Sequence, residues 1–171
     1  MNQESSLLLI KGNIHYMQPT LQSRTLGPRI NRTVHFVTRE GIHVDRIATA
    51  WAIRRFIDPA ATFEFVPRTR DVRKLAGTPF DIRGAELGHR DGRCTFESLL
   101  EKYELRDRGL RRMAAIIHGA DLPHEEGAPI ESAGVAAVFD GIRDTSRTDQ
   151  ERLDRGAAVC DALYMYCGGS N

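Results

Sequence analysis

Three short stretches of this chain set imidazoles beside carboxylates. They are His43-Val44-Asp45-Arg46, Glu86-Leu87-Gly88-His89 and His118-Gly119-Ala120-Asp121. Imidazole and carboxylate together suit zinc, manganese or iron. Ligands drawn from separate stretches of chain are what a mononuclear metal site needs. The expectation is therefore a divalent metal ion (zinc, manganese or iron) held among His43, Asp45, His89, His118 and Asp121. Each stretch also has a plain structural reading. Asp45 either caps a helix or sits in its first turn, where the helix dipole favours a carboxylate. His118 ends an apolar helix, where an imidazolium complements the dipole, and Asp121-Leu122-Pro123 is compatible with a simple turn. A lone Glu-x-x-His recurs by chance, but here it lies in a glycine-studded loop, Gly84 to Gly92, whose backbone can fold sharply.

Around these ligands stand groups with other roles. Glu86 and Glu97 are candidates for a general base acting on a metal-bound water, should the site be catalytic. Arg46 and Arg54 are eight positions apart and fall near one helix face. With Arg55 they offer planar forks to an oxyanion or carboxylate. Cys160 and Cys167 read as small buried hydrophobes. Cys94 does too, although His89 and Arg93 beside it would favour a reactive thiolate. Asp161 stands one turn from Tyr164 beside an apolar helix face, where a structural hydrogen bond to Arg46 or Arg54 is expected.

The elements that must position these groups follow from periodicity. Thr33 to Thr38 and Ala61 to Val66 alternate and are rich in β-branched and aromatic residues, so they predict strands. Pro79 to Ile82 offers a third, short one. A helical stripe runs from Val44 to Ile57 and stops at Asp58-Pro59. Arg70 to Ala76 reads as a short helix closed by Gly77. Further helices are predicted over Thr95 to Tyr103, Leu110 to Gly119 and Ala133 to Ile142. The last opens on the capping box Thr148-x-x-Glu151 and runs to about Tyr166. The predicted fold is α+β and mainly helical, with a small sheet from the early strands packed against four or five helices.

With 171 residues and 41% hydrophobic content the chain can bury a real core as one domain. That domain is placed at 33–168. Residues 1–32 read as a flexible arm, or as one ordered by a neighbour, and translation beginning at Met17 is an alternative. A net charge of +1 argues against coating nucleic acid or anionic membrane. No stretch approaches the ~20 apolar residues of a membrane span. Three widely spaced Cys and no Cys-x-x-Cys argue against a disulfide framework or a thiolate zinc ribbon. With no secretion signal read in the sequence, the expectation is a cytoplasmic chain with reduced thiols. The small-residue stretch Ala133 to Val138 and the arm hint at a surface for self-association.

The run His43 to Pro59, HVDRIATAWAIRRFIDP, resembles the signature of the chromate-resistance proteins of the ChrB C-terminal-domain type. Further matches follow in order: FEFVP (Phe63 to Pro67), PFD (Pro79 to Asp81), ELGHRDGRCTFE (Glu86 to Glu97), IIHGADL (Ile116 to Leu122), AGVAAVFDG (Ala133 to Gly141) and DALY (Asp161 to Tyr164). The resemblance covers about residues 34 to 167. It implies a domain that follows a DNA-binding region in chromate-responsive regulators and serves the response to chromate stress. Residues 1–32 are too short for a winged helix, so promoter binding is not expected of this chain. What the resemblance implies here is capacity for a metal ion or a tetrahedral oxyanion such as chromate. Three functions compete: a metal- and oxyanion-binding protein, a hydrolytic or redox metalloenzyme using the same ligands, and a metal-free interaction module.

Overall fold

The computed structural model describes residues 34–71, 74–122 and 126–170. The expected arm over residues 1–32, with its alternative start at Met17, lies outside the described residues. The elements are β1 (His35–Arg39), α1 (Val44–Ala52), a π-helical turn (Ile53–Ile57), β2 (Thr62–Val66), β3 (Thr78–Pro79), α2 (Thr95–Lys102), α3 (Arg108–Asp121), α4 (Glu131–Thr145) and α5 (Asp149–Tyr166). This is the mainly helical α+β fold that the periodicity predicts.

The three strands run parallel in the order β2-β1-β3, with Phe36 opposite Phe63 on one side and Thr78 on the other. Parallel neighbours require a crossover, and α1 with its π-helical turn supplies the one between β1 and β2. Phe36, Phe63 and Phe80 pack ring to ring across all three strands or their ends. The helices close over this sheet through Ile47, Trp51, Leu110, Met113, Ile117, Phe139, Leu153 and Tyr164, all buried. Cys160 and Cys167 are buried, as their apolar setting predicts. No helix among the described residues is long and apolar enough to cross a membrane.

Three elements differ from expectation. The helix predicted over Val44 to Ile57 is α-helical only to Ala52. Asp58 N–H then donates to Ile53 C=O at 2.9 Å, the wider i to i+5 step of a π turn. No α-helix forms among the described residues between Arg70 and Ala76. Single turns, Arg70 N–H to Pro67 C=O and Lys74 N–H to Asp71 C=O, stand in its place. So short a helix needs a packed apolar face to offset its nucleation cost, and this segment is largely exposed. The third strand is only Thr78–Pro79, because Asp81 adopts a left-handed φ of 46° and turns the chain out of the sheet.

The crossing of α1 over α5 depends on Gly156. A Cβ there would meet Ile47 Cγ2 at 2.5 Å and Phe139 Cε1 at 3.0 Å. Gly156→Ala should destabilise the protein by about 1–3 kcal/mol through overpacking, measured as a lower midpoint in urea unfolding.

Candidate metal centre

Asp45 occupies the first turn of α1 but does not cap it. His43 is the N-cap residue and makes no side-chain capping bond. The Asp45 carboxylate instead reaches α2, where Oδ2 accepts from Thr95 N–H at 3.0 Å and Oδ1 from Phe96 N–H at 2.8 Å. It thus satisfies two open amides at the N-terminus of a different helix, 50 residues away. Only 2% of Asp45 is exposed, a burial tolerable for a carboxylate because both oxygens are hydrogen-bonded.

His89 comes to the same point from the glycine-studded loop. Its Nε2 lies 3.3 Å from Asp45 Oδ2, 3.4 Å from Asp121 Oδ2 and 3.6 Å from Asp81 Oδ1. Asp121 is the last residue of α3, and Asp81 follows β3. Four segments therefore meet at one imidazole nitrogen. Arg46 forms one wall, with Nε 2.6 Å from Asp81 Oδ2. Asp81 Oδ1 also accepts from the Thr95 hydroxyl at 3.1 Å. His43, Asp45, Arg46, Asp81, His89 and Asp121 line a cavity of about 230 Å³. His43 sits at its margin, with Nε2 turned to 3.3 Å from Asp140 Oδ1, and burial holds its pKa below the usual imidazole value.

Burial and neighbouring charges set the protonation of these groups. Burial, reinforced by the Asp45 charge, pushes Asp121 up to about 6. Burial also raises Asp81, against the pull of Arg46. Burial opposes the charge on Asp45 as well, but His89 and the two α2 amides outweigh it and hold this carboxyl low. His89 is pushed up to about 9, chiefly by its hydrogen bond to Asp45.

Of the five expected ligands, Asp45, His89 and Asp121 fall in one cluster, His118 in another and His43 in neither. The first has its donor atoms within 4.8 Å of one another, and Cys94, Glu97 and His118 form the second. In the second, Glu97 Oε2 lies 2.6 Å from His118 Nδ1 and accepts from Cys94 N–H at 2.9 Å. Glu97, a predicted base, is thus engaged by His118 and by the start of α2. Glu86, the other predicted base, is exposed and ion-paired with Lys102 at 2.7 Å. Neither lines the cavity around His89. Arg54 also stands outside it. It falls in the π-helical turn, where it lies over the Phe63 ring at 4.8 Å and its Nε donates to Ala61 C=O. Cys94 is fully buried, and burial together with the Asp45 and Glu97 charges raises its thiol rather than favouring a thiolate. Asp161 is partnered by Trp51 Nε1 and Arg55 rather than by Arg46 or Arg54. Asp81 was not among the expected ligands; its signal is the PFD stretch (Pro79 to Asp81), whose carboxylate stands two residues past β3.

Comparison with known proteins bears on what this arrangement belongs to. The model of the ChrB C-terminal domain matches residues 36–167. Protein ChrB of Cupriavidus metallidurans is 36% identical over 169 residues, which cover 96% of this chain and 50% of that protein. The chain belongs to the ChrB-type chromate-resistance family. It spans about half the length of the curated relative it matches. No solved structure matches it.

Two outcomes follow from the geometry. Asp45→Ala removes the acceptor for two buried amides and should cost about 2–4 kcal/mol, read by urea unfolding. The pH dependence has a definite sign. Asp121 and His89 both have folded-state pKa values above their ordinary ones. The stability contributed by Asp121 is complete below its unfolded pKa of 3.8 and is lost as pH rises to about 6. That contributed by His89 is complete below 6.5 and is lost as pH rises to about 9. The melting temperature of metal-free protein should fall from pH 6.5 to 9, and His89→Gln should flatten that fall.

Proposed function

We propose that the Asp45–Asp81–His89–Asp121 cluster is a divalent-cation centre, and that the protein binds an oxyanion of the chromate class beside it. The observation that carries this reading is the convergence of three carboxylates on one imidazole nitrogen within 3.6 Å. Burial is the main cause that raises Asp121 and Asp81, and the nearby Asp45 charge adds to it. A cation at their centre would offset that charge. Three oxygens and one nitrogen form a hard donor set, favouring manganese or ferrous iron over zinc. The cation would supply positive charge and an open position for an anion. Asp45 and Asp81 are oriented for it by the α2 amides, Thr95 and Arg46. A hydrolytic role is less favoured, since Glu86 and Glu97 both face other partners.

Chelator-stripped protein should take up one Mn²⁺ per chain in a calorimetric titration. Asp121→Asn and His89→Ala should each weaken binding at least about tenfold, while Asp121→Asn raises the melting temperature of the metal-free protein at pH 7.5 by removing a buried charge that Asp45 further disfavours. Chromate should then bind the loaded protein more tightly than the metal-free protein. Failure to bind any of Mn²⁺, Fe²⁺ or Zn²⁺ would overturn the metal reading, and absence of heat for both chromate and sulfate would remove the oxyanion.

A further inference from the structure

On the far side of the Arg46–Asp81 pair lies a second cavity, of about 300 Å³, lined by Arg39, Arg46, Arg68, Asp81, Ile82 and Arg83. Its charge is not balanced. Asp81 is already engaged by Arg46, Thr95 and His89. Arg39 donates only to backbone, the carbonyls of Pro67 and Arg70. Among the described residues no carboxylate lies within ion-pairing distance of Arg39, Arg68 or Arg83, although carboxylates pair with Arg46, Arg54, Arg55, Arg93, Arg112, Arg143, Arg152 and Arg155. Three guanidinium groups left without acids around one hollow form a field that attracts anions.

The place of this hollow in the fold points the same way. Arg39 ends β1, Arg68 follows β2 and Arg83 follows β3, so all three stand at or just beyond the carboxyl ends of parallel strands. With the order β2-β1-β3 the chain leaves β1 to one side and then crosses back over it to reach β3 on the other. In open parallel sheets, ligands bind in the crevice at such a reversal. Arg46, in the first turn of α1, closes the crevice from the helix side.

We propose that this pocket binds one oxyanion group of a diphosphate-class ligand whose other group reaches the metal centre. Guanidinium forks match phosphoryl oxygens in pairs. The two cavities adjoin across the Arg46–Asp81 pair, which lines both; an anion with two linked tetrahedral groups would reach past that pair to touch both, whereas a single tetrahedral anion fills only one. The second contact rests on the metal reading above; the arginine pocket does not.

The test uses the full chain, metal-free and Mn²⁺-loaded, titrated calorimetrically with inorganic pyrophosphate, phosphate and sulfate. Mn²⁺ affinity is measured separately. Loaded protein should bind pyrophosphate at least about tenfold more tightly than phosphate or sulfate. The double variant Arg68→Ala/Arg83→Ala, at two exposed positions, should cut pyrophosphate affinity at least about tenfold with Mn²⁺ affinity and melting temperature unchanged. Arginine-dependent pyrophosphate binding without Mn²⁺ binding would support the pocket and overturn the metal centre. Mn²⁺ binding with pyrophosphate no tighter than phosphate, or unaffected by the double variant, would overturn the pocket and leave the metal centre standing.

Discussion

The Asp45 carboxylate is where the fold and the site become one structure. Its two oxygens accept from the first amides of α2, while the same group contacts His89. A buried carboxylate without such donors would be forced toward its neutral form; with them it stays charged. That fixed negative charge raises His89 and helps to raise Asp121. The position of α2, the loop before it and the end of α3 are therefore tied to one side chain in the first turn of α1.

The parallel sheet gives this arrangement its direction. All three strands deliver their following residues to the same edge, so acids and arginines from distant stretches accumulate there. The Arg46–Asp81 ion pair divides them. On one side lie the carboxylates and His89, a cavity of cation-seeking character; on the other lie Arg39, Arg68 and Arg83, a cavity of anion-seeking character. Opposite fields in adjoining hollows suit a ligand set that is itself a cation with an anion. The low exposure of Asp45 and Asp81 limits how far solvent screens the first of them.

The second cluster shows how the same helix start serves two purposes. Glu97 reaches back to Cys94 N–H while holding His118. It therefore supports α2 from within, as Asp45 does from outside. His118 was legible as a polar group ending an apolar helix, but its partner was not, since Glu97 comes from another helix. Cys94 fared likewise: its neighbours in sequence are cationic, whereas those in space are carboxylates, and the inference about its thiol reversed accordingly.

The sequence by itself determined the helices with strong 3.6-residue stripes, the two longer strands and the family, and it singled out Asp45, His89 and Asp121, which the fold brings together. These are local patterns, or runs long enough to be specific. Tertiary structure alone decided that the strands are parallel, that Asp45 caps α2 rather than α1, that Asp81 comes to His89, and that Arg54 stands outside that cavity. Those outcomes depend on where separate segments meet and on a widened turn at Ile53–Ile57. Neither is encoded in the spacing of residues along one element, because a side chain's partners are set by the packing of the elements that carry it.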